Sequence, residues 1–518
     1  MREPTPDKRF EKKNPRKISQ EISSKRSERL TQFFDPIIKQ LDTELRLLIL
    51  SEFFYFDTHE RKSKIVMALS EIRTIVDLAA RTLTEERVGY MPSQELLHEL
   101  SRRERGLLAY LMSPMYEKPD EKLHIIEIKH HESSPEGRVT LVSRFPGNAN
   151  MMIPVIDELM GDVGRPVQVT AITDGKARKS LEEKYKGRTM NKQTDNEFFA
   201  LNHYEAVGGA DVVFLDAASG DTLSVFMAAT FAAEKKGKAP KIIIVHDAYT
   251  STMRIYDTLK EWNLLEPDLI SAICVMDEWQ KEQITKKYPE LKERIEITGQ
   301  PLFDSMNESE VKSTRKRVRS TLELKEGDVL VSVMFTADPR VGEMEAMADE
   351  LSKLDASHQS RLWIAVRRHP RNKPSYEALK EIFSSRGLRT KDTMSGERKF
   401  ETEEVRVASD IVLNTLSTEG TAAVAYGIPV VHVVDEKFGE FPPDTMRDVP
   451  PAESGAAVLL EHVGDLVKTI EDLMDPESER SVSVREAQQN HPLRAQRGKS
   501  AKNVAHVARR LLGHPAKA

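Results

Sequence analysis

Apolar residues along this chain keep two different rhythms. Between residues 28 and 115 the spacing is helical. Leu30, Phe33, Phe34, Ile37, Ile38, Leu41, Leu45 and Leu48 recur three and four apart, and so do Ile65, Leu69, Ile72, Val76, Ala79 and Leu83. Helices with one apolar stripe need a partner face, on the same chain or another. The rhythm changes near Ser133-Ser134-Pro135-Glu136-Gly137. From there short apolar runs alternate with helical stretches, the pattern of a parallel sheet with crossover helices. The runs Val139 to Val142, Val167 to Ile172, Val212 to Leu215, Ile242 to Val245, Ala272 to Val275 and Ile295 to Thr298 predict strands, with helices over Ala149 to Met160, Leu223 to Glu234 and Glu278 to Lys287.

Gly299-Gln300-Pro301 interrupts this series and predicts a hinge. A second series follows, with strands at Val329 to Met334, Leu362 to Val366, Ile411 to Leu413 and Val430 to Val434 and helices at Val341 to Leu354 and Tyr376 to Ser385. The tail from Asn503 to Leu512 reads as an amphipathic helix through Val504, Val507, Ala508 and Leu511. The predicted fold class is α/β: two Rossmann-like domains facing across a cleft, with an N-terminal all-helical extension. The expected partition is a basic flexible arm over 1–30, the helical extension over 31–132, one Rossmann-like domain over 133–300, a second over 301–475, and a helical tail over 476–518.

Composition narrows the class. The chain has 518 residues, 39% of them hydrophobic and 31% charged, enough for more than one core. No apolar run approaches the roughly 20 residues that span a bilayer, and no secretory apolar segment is evident, so a cytoplasmic protein is expected. Its one cysteine, Cys274, stands in an apolar run and reads as a core residue, which excludes an internal disulfide framework. A net charge of -6 argues against nucleic acid as a partner of the whole chain. Lys8-Arg9, Lys12-Lys13, Arg16-Lys17 and Lys25-Arg26 make the first thirty residues basic. Such an arm is usually solvated; its other use is contact with an anionic surface, which would place the protein at the inner membrane face. The N-terminal helices offer a surface for self-association or for a partner.

Candidate chemistry gathers at strand ends, where ligands of such sheets bind. After Ile411-Val412-Leu413 comes the turn Asn414-Thr415-Leu416-Ser417-Thr418-Glu419-Gly420-Thr421, rich in hydroxyls and leading into a helix of small residues. A turn of this kind directs free amides and a positive dipole end at one point, suited to a diphosphate; the plainer reading is Ser and Thr capping the helix. Arg367-Arg368-His369-Pro370-Arg371 follows another strand, and His369 and Arg371 are candidate phosphate contacts there. Thr336, just past Val329 to Met334, is either a ligand contact or a cap. In the first series, the loop containing Gly147 and Asn148 resembles a loose ligand loop but has no dinucleotide fingerprint. Asp216 and His246 each end a strand, and each is a candidate base or a structural residue. With no paired aspartates and no zinc helix in the sequence, chemistry without a bound metal or cofactor is expected.

The pattern resembles the GT-B glycosyltransferase superfamily, nearest to lipid-A-disaccharide synthase and UDP-N-acetylglucosamine 2-epimerase-like proteins. The resemblance rests on Ile295-Glu296-Ile297-Thr298-Gly299-Gln300-Pro301-Leu302-Phe303-Asp304, on Ala408-Ser409-Asp410-Ile411 through Ser417-Thr418-Glu419-Gly420-Thr421-Ala422, and on Gly427-Ile428-Pro429-Val430. It spans residues 135 to 475 as domain order, with only those segments specific. It implies an acceptor domain followed by a nucleotide-sugar domain. The donor site it implies is formed by Ser417, Thr418, Gly420 and Thr421, with Glu419 on the ribose or sugar, and Asp216 as the base. The implied reaction moves a sugar from a nucleotide-diphosphate donor, UDP-linked, to a sugar, lipid or protein hydroxyl. The alternatives are 2-epimerisation of a nucleotide sugar and an inactive GT-B-like scaffold.

Overall fold

A computed structural model describes residues 124–513, less the stretches 129–135, 144–145, 162–166, 174, 193–205, 218–224, 227–228, 230–237, 250–252, 262–267, 335–340, 369–374, 395–399, 416 and 439–449. The chain divides into two compact units, Met1–Lys118 with Asp195–Phe198 and Pro119–Thr194 with Phe199–Ala518, and every described residue lies in the second. The basic arm and the helices expected up to residue 115 lie outside the described residues.

The second unit holds two sheets. The first contains β1 (His124–Ile128), β2 (Gly137–Val142), β3 (Val167–Thr173), β4 (Thr189–Lys192), β5 (Val212–Asp216), β6 (Lys241–Val245), β7 (Ile270–Val275) and β8 (Ile295–Ile297). Its order is β4-β1-β3-β2-β5-β6-β7-β8. From β3 to β8 all neighbours are parallel, and β1 is antiparallel to β3 and β4. The second sheet contains β9 (Val329–Met334), β10 (Leu362–Arg367), β11 (Ile411–Asn414), β12 (Val430–Val433) and β13 (Val458–Leu460), parallel in the order β10-β9-β11-β12-β13. All ten strands expected from apolar runs are present within a residue or two. One expectation needs correction. The all-helical extension expected over 31–132 does not hold at 124–128, where His124–Ile128 is a largely buried strand paired between β3 and β4.

Strand β9 is buried at every position, and β5 likewise, as sheets covered by helices on both faces require. Alternation sorts the first sheet's side chains. Leu141, Val212, Phe214, Ile243, Val245 and Cys274 face one core, and Val142, Val213, Leu215, Ile242, Ile244 and Val275 face the other. Buried Cys274 is the core residue its apolar run suggests.

In both sheets the first parallel strand in sequence lies between the next two. β2 therefore has β3 on one side and β5 on the other, and β9 has β10 and β11. The crossovers leave in opposite directions at these points and open a crevice beyond the carboxyl ends. Between the sheets, Gly299 adopts φ +79, a conformation that costs glycine little. A short 3-10 turn, Pro301–Asp304, then leads to the helix Glu308–Thr321.

The C-terminal helix Ser500–Leu511 returns to the first sheet and packs Val504, Ala505, Val507 and Ala508 into its core beside Leu141 and Phe214. Its amino end is held by Asp304, which accepts from Gly498 N at 2.6 Å and Ala501 N at 2.7 Å. Val504 is fully buried there. Replacing it with Asp should lower unfolding stability by roughly 3 kcal/mol, because an unpaired charge meets an apolar core. Urea denaturation of the Val504→Asp variant tests this, and a change below about 1 kcal/mol would mean that the helix contributes little.

Candidate active site

The turn after β11 is built on a cross-strand pair. Asn414 and His432 stand directly opposite in the β11–β12 register. His432 Nδ1 lies 2.8 Å from Asn414 Oδ1, which also accepts from Ser417 N at 3.2 Å. A carbonyl oxygen only accepts, so Nδ1 carries the proton and Nε2 the lone pair. Burial lowers the His432 pKa to about 4, which keeps the ring neutral. The pair thereby fixes the entry to the helix Thr418–Ala425. Neither Asn414 nor His432 was singled out for the site from the sequence, because their meeting depends on register.

Ser417 is the N-cap of that helix, and its hydroxyl accepts from Glu419 N at 3.3 Å. The capping role and the exposed positive helix end thus coexist. Thr418 and Glu419 are partly exposed, and Thr421 is buried. Gly420 faces inward: a Cβ there would fall on Asn414 Nδ2 and lie 2.6 Å from His432 Cε1. Its glycine character answers a close approach to the sheet. Glu419 pairs with Arg406, whose side chain is 2% exposed and lies 3.5 Å from Glu403. Burial opposes the Arg406 charge, but Glu419 and Glu403 more than offset it, so its pKa ends above the ordinary arginine value. Arg406 is a second residue sequence reading missed.

The neighbouring strand end carries Arg367, which is 8% exposed and donates to Thr393 O at 3.1 Å and Thr402 Oγ1 at 3.0 Å. Through β9 it shares a row with Asn414. Burial depresses its pKa. Thr336, His369 and Arg371 fall outside the described residues.

In the first sheet, Ser143 follows β2 and Asp216 ends β5, on the two strands that flank the crevice. Asp216 is 1% exposed and falls on the side of Phe214. Asn148, mostly buried, and Gly147, exposed, occupy the first turn of the helix Pro146–Gly161. His246 lies one strand further along and continues the alternation of Ile244, on the opposite face. There its Nε2 meets Tyr256 Oη at 2.8 Å. Its Nδ1 is buried with no hydrogen-bond partner among the described residues, and burial lowers its pKa to about 3. Asp216 and His246 thus stand on opposite sides of one sheet. Elsewhere, Asp355, His358 and Glu471 bring ligand atoms within 4.8 Å of one another. Asp355 and His358 precede β10, at the end of the sheet away from these loops, and Asp355 already caps the helix Ala356–Gln359.

No protein-family model matches the chain, and no curated protein matches its sequence. Solved structures do match its fold. The UDP-GlcNAc 2-epimerase from Neisseria meningitidis bound to UDP-GlcNAc is 15% identical, with 72% of this chain and 100% of that one covered at a TM-score of 0.50. The S. aureus MnaA structure with UDP is 12% identical, covering 74% and 100%, also at 0.50. The wall teichoic acid polymerase TagF is 12% identical, covering 81% and 95%, at 0.47. At such identities the likeness concerns the fold, which is GT-B-like: two Rossmann-like lobes joined by a linker. Among the described residues no helix is long and apolar enough to cross a membrane.

Two measurements follow from the geometry. Gly420→Ala should cost about 1–3 kcal/mol, since strand and helix must separate to admit a methyl group. An unchanged urea midpoint would show that the close approach is not real. His246 has a folded pKa depressed from 6.5 to about 3. The stability tied to its neutral form is full above the unfolded value and is lost as pH falls toward the folded one. Between pH 7 and pH 5 the native chain should therefore lose about 2 kcal/mol more than His246→Asn. Equal losses in the two proteins would place the imidazole in water.

Proposed function

We propose that this chain is a nucleotide-sugar enzyme that moves a sugar from a UDP-linked donor to a hydroxyl acceptor. One observation carries the reading: both sheets have a switch point, and polar groups gather beside each, Ser143 and Asp216 in the first lobe and the Asn414–Thr418 turn in the second. In this reading the donor diphosphate sits at the amino end of Thr418–Ala425. Main-chain amides near Thr418 and the helix dipole balance its charge there. Arg367, with His369, Arg371 and Thr336 from the adjoining loops, completes the anion contacts, and Glu419 meets the ribose or sugar. The acceptor lies against Gly147 and Asn148.

His246 takes the acceptor proton on Nδ1 while Nε2–H donates to Tyr256. The new oxygen–carbon bond forms at the anomeric carbon, the bond to the diphosphate breaks, and UDP departs. A bound diphosphate would raise the imidazole pKa from its low resting value toward the working pH. Asp216, at the switch point, orients the acceptor or serves as the base in its place. No step calls for a metal ion.

A second reading is epimerisation of the donor sugar. The Neisseria meningitidis epimerase, solved with UDP-GlcNAc, and the S. aureus MnaA–UDP structure support it, because they share this fold over most of the chain.

UDP affinity by calorimetry is the first test, with Ser417→Ala/Thr418→Ala expected to weaken it about tenfold. Unchanged affinity in that variant would remove the diphosphate from this turn. Incubation with UDP-GlcNAc alone then separates the readings. An isomerised sugar supports epimerisation, whereas UDP release that depends on an added acceptor supports transfer. Absence of any nucleoside diphosphate binding would leave the scaffold alternative.

A further inference from the structure

Gln300 lies in the linker between the sheets and is 1% exposed. Its amide nitrogen donates to His246 O at 3.0 Å and to Asp247 O at 2.9 Å. Its Oε1 accepts from Leu302 N at 3.3 Å, within the turn Pro301–Asp304. A primary amide has two N–H groups, and here they meet consecutive carbonyls of one loop, which fixes that peptide's plane as well as its position.

The same loop has other tethers. His246 N donates to Cys274 O at 3.0 Å, its ring meets Tyr256, and Gln280 Nε2 donates to Ala248 O at 3.1 Å. These all come from the first lobe. Of the tethers named, Gln300's alone comes from the linker.

The linker is in turn fixed to the second lobe. Phe303 shares an apolar cluster with Ala422 and Tyr426, and with Tyr249 of the His246 loop. Ser305 Oγ donates to Glu403, and Tyr426 Oη donates to the same carboxylate at 2.7 Å. Glu403 flanks Arg406, which holds Glu419 in the first turn of Thr418–Ala425. Contacts are therefore continuous from the helix end that would receive a diphosphate to the imidazole on the other sheet.

We propose that Gln300 is a positioning residue that ties His246 to the second lobe, so that a ligand seated at the Thr418 turn resets the imidazole. This rests on the reading of the Thr418 turn and His246 given above. Contiguity alone does not establish coupling, so the test measures it directly.

The full chain is labelled with 15N-histidine, the His246 ring signals are assigned through His246→Asn, and UDP is titrated in. UDP should move the His246 signals of the native protein. In Gln300→Met and Gln300→Glu the movement should fall to less than about half, with UDP affinity changed by less than about threefold. Amide exchange over residues 245–249 should rise about tenfold in both variants. Gln300→Glu keeps the acceptor for Leu302 N, so it preserves the linker turn if the Met variant is poorly folded. Unchanged exchange in both variants would overturn the clamp, and a full-sized signal movement in both would overturn the coupling. If UDP does not bind the native chain, the donor reading fails, and the exchange result still decides whether Gln300 holds the loop.

Discussion

The linker Thr298–Asp304 is the constraint on which the arrangement of both sheets depends. Val275 O accepts from Thr298 N and Gly299 N on one side, and the His246 loop is bound through Gln300. The returning C-terminal helix closes the other side. A Cβ on Gly299 would lie 2.7 Å from Gln496 Cβ, and Asn503 Nδ2 donates to Thr298 O at 3.1 Å. Burial pushes the Asp304 pKa up, while the amides of Ala501 and Gly498 pull it back. A carboxylate at a helix amino end is also favoured by the dipole. Rotation of one lobe against the other must strain these contacts or take them along.

Charge at the strand ends is handled in two ways. The imidazoles of His246 and His432 are buried and neutral, each with one ring nitrogen bonded and the other without a partner among the described residues. The guanidiniums are buried and charged: Arg406 is compensated by two carboxylates, and Arg367 bonds neutral oxygens with Glu401 and Glu419 in its field. The first arrangement responds to an arriving anion by gaining a proton, and the second by gaining a partner. Both concentrate at the carboxyl ends of the two sheets.

Much of the fold was legible because buried parallel strands are continuous apolar runs. β9 matches its expected span at both ends for this reason. The elements that escaped lack the signal: β4 reads Thr-Met-Asn-Lys, β13 has three residues, and the helix Glu308–Thr321 buries Val318 alone. That helix did carry a local mark, the Asn307–Glu310 capping box. At the site, the hydroxyl-rich turn was legible because backbone dipoles act locally. Asn414 with His432, Arg406 with Glu419, and Gln300 with the His246 loop were not, since each joins positions brought together by strand register or chain return. The close approach of Gly420 to Asn414 and His432 was likewise not legible, because it too depends on strand register.

The return of the C-terminal helix bears on how the protein is made. Arg509 donates to Leu159 O at 2.7 Å across 350 positions of sequence. During synthesis at roughly 5–20 residues per second, the first sheet waits tens of seconds for its cover. Throughout that interval the part of one apolar face that Val504, Val507 and Ala508 will cover stands open, while Met151, Val155 and Leu159 already lie on the rest. That patch is prone to aggregation until Ser500–Leu511 has been made, and the first lobe's core is complete only from then on.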